Sequence, residues 1–223
     1  MKKTDKPQKD RIFIVDDHPM TRAGLTHLIN HQPDTVVCAE AENAAEALDR
    51  LAVSKPDLML IDITLPGKSG LELIKDVKAM RPDLAVLVIS MHDESLYADR
   101  VLRAGARGYI TKHEGGEKLM AAIRQVLSGK IYVSESMSAH ILEIFSGGQA
   151  VSDRSSIQNL SDREFEVFEA LGQGLSSHEI AKKLHLSAKT VDAHRANIKT
   201  KLKINTTAEL ISFAARWTAT QRE

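Results

Sequence analysis

Ile12-Phe13-Ile14-Val15-Asp16-Asp17-His18 is the stretch on which the reading turns: four apolar residues with no polar alternation, then two adjacent carboxylates. An unbroken apolar run closed by turn-forming acids fits a strand covered on both faces, as in a parallel sheet. The sign recurs downstream. Residues 35–39 are β-branched and apolar, Asp57-Leu58-Met59-Leu60-Ile61 leads to Asp62, residues 85–89 lead to Ser90, and Gly108-Tyr109-Ile110 leads to Lys112. Between these runs lie helical spacings at 19–30, 44–53, Leu71/Ile74/Val77/Met80, 95–104 and Leu119/Ile123/Val126/Leu127. Five strands, each followed by a helix, predict a doubly wound α/β domain with a five-stranded parallel sheet and right-handed crossovers.

The 223 residues leave room for a second domain, and 43% hydrophobic content excludes wholesale disorder. No apolar run approaches the roughly 20 residues that a bilayer requires. Residues 1–10 mix Lys and Asp with no apolar stretch, so a short disordered leader is expected rather than a signal peptide. A soluble, cytoplasmic chain without membrane contact follows. Cys38 is the single cysteine, which rules out an internal disulfide and a thiolate metal cage; in an apolar strand it is expected as a buried, inert thiol. The histidines are scattered without metalloprotease spacing, which argues against a zinc site.

The second half has another texture. Residues 134–145 suggest a further short helix, and 146–158 are small and polar without periodicity, a linker. Three helix starts then share one shape, an apolar residue, a Ser N-cap and an apolar residue four places on: Leu160-Ser161…Phe165, Leu175-Ser176…Ile180 and Leu186-Ser187…Val191. Glu164 and Glu179 complete capping boxes in the first two, and Gly172 and Gly174 are expected to stop the first helix. Only His185, Leu186 and Ser187 separate the second helix from the third, the spacing of a helix-turn-helix. A fourth helix is expected over 207–217.

Overall charge is balanced, 30 basic against 30 acidic side chains, but it is uneven locally. Residues 1–152 carry 19 basic and 21 acidic groups, residues 153–223 carry 11 and 9, and 189–203 hold five basic residues against Asp192 alone. On the third C-terminal helix Val191, Ile198 and Leu202 share one side. His194 or Arg195 lies near the edge of that side, which leaves Asp192, Ala193, Ala196, Lys199 and Lys203 pointing away from the core. With Lys189, Thr190 and Arg195 these are the candidate DNA contacts, alanines for close approach and cations for phosphates.

In an open α/β sheet ligands gather at the carboxyl ends of the strands. There the sequence sets Asp16 and Asp17, then Asp62, Ser90 and Lys112. The oxygen donors suit Mg2+, Asp62 suits nucleophilic attack on phosphorus, and Lys112 suits neutralisation of the transferred group. His18 is expected to pack or cap at a helix start rather than ligate metal. Gly67-Lys68-Ser69 imitates the end of a phosphate loop, but Asp62 stands where that motif needs a glycine, and no dinucleotide-binding glycine pattern follows the first strand.

Taken together, Val15-Asp16-Asp17-His18, Leu60-Ile61-Asp62-Ile63-Thr64-Leu65-Pro66-Gly67, Ile89-Ser90 and Gly108-Tyr109-Ile110-Thr111-Lys112 make residues 11–130 resemble a bacterial response-regulator receiver domain. Leu160-Ser161-Asp162-Arg163-Glu164, Glu179-Ile180-Ala181, Leu186-Ser187, Thr190-Val191 and Lys201-Leu202 make the C-terminal part resemble a LuxR-type helix-turn-helix. The pairing is similar to the NarL/FixJ class of two-component transcription factors, with a linker over 131–156 and a DNA-binding domain over 157–223. The resemblance implies that Asp62 is the phosphoacceptor and Asp17 a direct Mg2+ ligand. Asp16 would be a second acid acting through water, and the Thr64 backbone carbonyl a further ligand. It also implies Ser90 as the switch hydroxyl, Tyr109 as the switch aromatic and Lys112 as the phosphate-pairing lysine.

The function so implied is a phosphorylation-switched transcription regulator, fed by a sensor histidine kinase, binding double-stranded DNA and dimerising when phosphorylated or on DNA. Its alternative is a regulator that binds DNA regardless of phosphorylation. An enzyme is disfavoured: a phosphatase using Asp62 wants a general acid two residues on, and Thr64 stands there. Asp192 departs from the Lys that many relatives place there; a carboxylate accepts from cytosine's amino group but costs affinity near phosphates.

Overall fold

The computed structural model describes residues 9–135, 137–139, 157 and 159–220. The expected leader at 1–8, most of the short helix at 134–145 and most of the linker lie outside the described residues. The chain divides into two compact units, one within Met1–Glu94 and Val101–Val133, the other within Ser95–Arg100 and Ser134–Glu223.

Along the first part run β1 (Asp10–Val15), α1 (Pro19–Asn30), β2 (Thr35–Ala41), α2 (Ala44–Ser54) and β3 (Leu58–Ile61). After them come α3 (Gly70–Met80), β4 (Ala85–Ser90), α4 (Glu94–Arg103), β5 (Gly108–Thr111) and α5 (Gly116–Leu127). The five strands form one parallel sheet in the order β2-β1-β3-β4-β5. Alternate side chains point to opposite faces. Ile12, Ile14, Leu58, Leu60, Leu87 and Ile89 join Leu25 and Ile29 of α1 and Leu119, Ile123 and Val126 of α5 in one buried cluster. Phe13, Val15, Met59, Ile61, Val86 and Val88 are equally buried on the opposite side, and α2 and α3 each bury one apolar stripe. Full burial of each such side chain contributes about 1.5–3 kcal/mol before ordering costs, which is why the strands read as continuous apolar runs.

One expectation needs correction. Cys38 is only half-buried, because β2 is an edge strand; burial still pushes its thiol above the ordinary value. Tyr132 makes an isolated parallel bridge to Gly108 of β5.

The second unit holds α6 (Asp162–Gly172), α7 (Ser177–Lys183), α8 (Ala188–Leu202) and α9 (Thr207–Thr220). All three serine caps form: Ser161, Ser176 and Ser187 accept from the backbone N–H of Glu164, Glu179 and Thr190, and the first two are closed capping boxes. Phe165, Phe168, Leu171, Ile180, Leu184, Val191, Ile198, Leu210 and Ala214 are buried, with Trp217 edge-on to Phe165 and Phe168. Gly174 takes the left-handed conformation (φ +81°) that ends α6. Gly172 is the last residue of α6 and has a second use. A Cβ there would stand 2.3 Å from Thr218 Oγ1 and 2.7 Å from the Ala214 carbonyl, so it lets α9 approach.

Glu164 ties two of these helices. Its Oε2 accepts from the Ser161 amide at 2.7 Å and pairs with Lys201 Nζ at 2.6 Å. Burial pushes its carboxyl up, but Lys201 and Ser161 outweigh burial and hold it below the usual glutamate value. A depressed folded-state pKa stabilises above the unfolded value and is lost as pH falls through the folded one. Glu164→Gln is therefore expected to destabilise the second unit by about 1 kcal/mol at neutral pH, with the gap closing below about pH 4. Urea titrations followed by Trp217, the only tryptophan, measure this; a gap unchanged by acid removes the charge from the account.

Candidate functional site

The rim at the carboxyl ends of the strands is built by register. Val15 lies opposite Ile61, and Ser90 opposite Thr111, so the next residues of β1, β3 and β5 emerge at one level. The Asp62 amide donates to the Val15 carbonyl at 2.8 Å and the Lys112 amide to the Ser90 carbonyl at 2.7 Å, which continues the pairing into the site. Asp16 and Asp17 stand at the β1/β3 crossing, where the chain order of the sheet reverses.

Lys112 Nζ sits 2.7 Å from Asp16 Oδ2 and 2.6 Å from Asp62 Oδ2. Asp16 is fully buried and Asp62 is 3% exposed. Burial pushes the Asp62 carboxyl up, and Asp16 adds to this, while Lys112 and the Thr64 amide pull it down; the net shift is upward. Burial disfavours the Lys112 charge, yet Asp62 and Asp16 together outweigh it and raise its ammonium. One cation therefore serves two crowded carboxylates, and a second cation or an arriving anion would each find a partner here. Asp16, Asp17, His18 and Asp62 each offer a ligand atom within 4.8 Å of the others, a group able to hold a metal ion.

Around this core the expected switch residues are assembled. Ser90 and Tyr109 are buried. Ser90 Oγ accepts from the His92 amide at 3.2 Å, and the Tyr109 hydroxyl donates to the His92 carbonyl at 2.8 Å. Thr64 donates its amide to Asp62 Oδ1 at 3.3 Å, and its hydroxyl lies 3.1 Å from His92 Nε2. The loop leading to α3 is closed by Ser69, whose capping box with Glu72 holds the helix start. Gly70 matters more: a Cβ there would stand 2.0 Å from the Asp62 carbonyl oxygen.

In the second unit, α7 and α8 are joined through Leu184, His185, Leu186 and Ser187, with His185 in the left-handed conformation (φ +54°) that makes the corner. Val191 and Ile198 face inward; Lys189, Thr190, Asp192, Ala193, Ala196 and Lys203 are exposed, and Arg195 and Lys199 are half-buried. Lys203 lies just past the end of α8 as its C-cap.

Residues 12–124 match the family described as response regulator receiver domain, and residues 158–214 match bacterial regulatory proteins of the luxR family. The chain belongs to the LuxR-type response regulators. The oxygen regulatory protein NreC of Staphylococcus epidermidis is 34% identical over 211 residues, 92% of this chain and 97% of that protein. NreC of Staphylococcus aureus is 35% identical over 210 residues, with the same coverage. Among solved structures, RcsB of Salmonella enterica serovar Typhimurium bound to promoter rprA in the presence of phosphomimetic BeF3- is 25% identical. It covers 93% of this chain and 99% of its own, with a TM-score of 0.62. A LuxR-family two-component response regulator from Aurantimonas sp. SI85-9A1 is 34% identical over 62% of this chain and 99% of its own, with a TM-score of 0.58.

As a response regulator of this type the chain is a phosphorylation-dependent two-component transcription regulator, and its receiver and LuxR-type parts are the two halves described above. The structure brings Asp16, Asp17, Asp62, Ser90 and Lys112 together at the strand ends, with Thr64 beside Asp62 and Tyr109, within β5, joined to His92. His18 departs from expectation: it is the N-cap residue of α1, but its side chain makes no cap, is 63% exposed, and turns Nδ1 to 2.7 Å from Asp17. The adjacent carboxylates draw the imidazole away from the helix end. Sequence reasoning also missed Gly70. Its only signal was a Gly eight residues after Asp62, directly behind a Ser N-cap. No helix among the described residues is long and apolar enough to cross a membrane.

Proposed function

We propose that Asp62 takes a phosphoryl group from the histidine of a sensor kinase and that the change at the rim alters dimerisation and DNA binding. An Asp62 oxygen attacks phosphorus, the P–N bond to the kinase imidazole breaks, and that nitrogen keeps the electron pair and takes up a proton. Lys112 is already within reach of Asp62 and pairs with the new phosphoryl oxygens. Ser90 turns its hydroxyl to the phosphoryl group, exchanging the His92 amide for a stronger, charge-assisted partner. The hydrogen bond from Tyr109 to the same His92 carries that movement to the outer surface of β5.

Asp16, Asp17, Asp62 and the Thr64 carbonyl would hold Mg2+. These donors are all hard oxygen ligands, and the ion supplies positive charge against the phosphoryl oxygens. Receiver function is assigned to 11–130, a linker to 131–156 and DNA binding to 157–223. The chemistry is read as a single transfer from the kinase to Asp62 in a cytoplasmic regulator rather than enzymatic turnover. Dimerisation suits the output, because one short recognition helix reads few bases and two half-sites multiply the binding.

The observation that carries the reading is Lys112 bridging two buried carboxylates at the strand ends of a chain that also holds a capped helix-turn-helix. Selection from a random duplex library, with beryllofluoride and Mg2+ and without, tests it alongside Asp62→Ala. A two-half-site motif enriched only with the mimic, and lost in the variant, is the expected result. Equal enrichment in all arms would leave a regulator that ignores phosphorylation.

A further inference from the structure

Asp192 is the one acid on the outward side of α8 between Lys189 and Lys203, where a polyanion would repel it. Its contacts give it another meaning. Asp192 Oδ1 accepts from Ser177 Oγ at 2.8 Å and lies 3.3 Å from Arg195 Nη1. Arg195 Nη1 also donates to Ser177 Oγ. Ser177 opens α7 and Arg195 follows Asp192 by one turn of α8, so the three side chains close a ring across the helix-turn-helix. The guanidinium balances the carboxylate's charge, and the serine hydroxyl fixes its rotamer.

What remains outward is a single acceptor. Asp192 is 62% exposed against 21% for Arg195, and both contacts of its carboxylate fall on Oδ1, leaving Oδ2 without a partner among the described residues. Ala193 and Ala196 beside it are exposed and short, so a base edge can come close.

In the major groove guanine offers only the acceptors N7 and O6, thymine the acceptor O4 with a methyl group, and adenine an amino group beside the acceptor N7. Cytosine alone offers an amino donor with no neighbouring acceptor. A carboxylate oxygen is repelled by the first three edges to different degrees and matched by the fourth. We propose that Asp192 is a specificity-determining residue that accepts the amino proton of a cytosine, oriented for it by Ser177 and Arg195. This inference rests on the DNA-binding reading above.

Fluorescence anisotropy of the full chain, activated with beryllofluoride and Mg2+, on the selected duplex and on versions changed one base pair at a time, tests it. Expected is one position in each half-site where cytosine is required and thymine weakens binding roughly tenfold. Asp192→Asn should remove that requirement at that position alone, since an amide both donates and accepts. Ser177→Ala should shrink the discrimination to a few-fold while leaving thermal stability and the preferences elsewhere intact, which a merely structural serine would not do. If Asp192→Asn instead tightens binding to every duplex equally, with base preference unchanged, the carboxylate only repels phosphate and the inference is overturned. An Asp192→Asn profile identical to wild type overturns it as well. Failure of the wild-type chain to bind any duplex would be a different result, overturning the DNA-binding reading and this inference together.

Discussion

Lys112→Met is expected to destabilise the first unit by about 3 kcal/mol at neutral pH, seen as a lower urea midpoint in far-UV circular dichroism. The methionine keeps the length and most of the apolar stem, so little packing is lost. What disappears is the only cation among the described residues within 3 Å of both Asp16 and Asp62, carboxylates that are nearly or wholly removed from water. Removing one member of a buried charge cluster leaves the others unpaired and mutually repelling, which costs more than the pair contributed. The double variant Lys112→Met with Asp62→Asn should recover most of the loss, because one neutral amide then replaces one of the two stranded charges. A single variant as stable as wild type, or a double variant no better than the single, would mean the rim is more open to water than its burial indicates.

Gly70→Ala should be as damaging without touching any charged group. The added Cβ would meet the Asp62 carbonyl at 2.0 Å and the Ile63 Cα at 2.8 Å, and both are backbone atoms that no rotamer change can move. The Gly70 amide is also bonded to the Ile63 carbonyl at 2.8 Å, so the loop is held from both sides. Relief requires displacing the backbone that carries Asp62, with a loss of about 3 kcal/mol and a fall of at least tenfold in the rate of phosphoryl uptake from a small donor such as acetyl phosphate. Gly67→Ala makes the useful comparison. Gly67 has open space around it but a φ of +76°, so that substitution strains the backbone locally without striking Asp62. Normal uptake by Gly70→Ala would show that the loop can shift freely.

The parts legible in the sequence were those set by local rules or by strand ends. Ser161, Ser176 and Ser187 announce their helices because capping needs only the next three residues. Asp16, Asp62 and Lys112 converge because parallel strands of similar length bring their carboxyl ends to one rim. The contacts that remained hidden are made between side chains distant along the chain. Thr64 reaches His92 across 28 residues and Ser177 reaches Arg195 across 18. No periodicity encodes either. Gly172 does end its helix, but the further demand on it comes from α9, which packs from the other side and which local sequence does not announce. Cys38 looked buried because an apolar run does not say whether its strand lies inside the sheet or at its edge. His18 was misplaced because two neighbouring carboxylates compete for its ring with the helix it begins.

His92 meets Ser90 through its amide, Tyr109 through its carbonyl and Thr64 through its ring. Two of those three links are main-chain and survive any ordinary replacement at the position; the third belongs to histidine. The junction is therefore part fixture and part dial. The route from hydroxyl to tyrosine is inherited with the backbone, while the grip on Thr64, two residues from Asp62, can be retuned by a single codon without rebuilding the route.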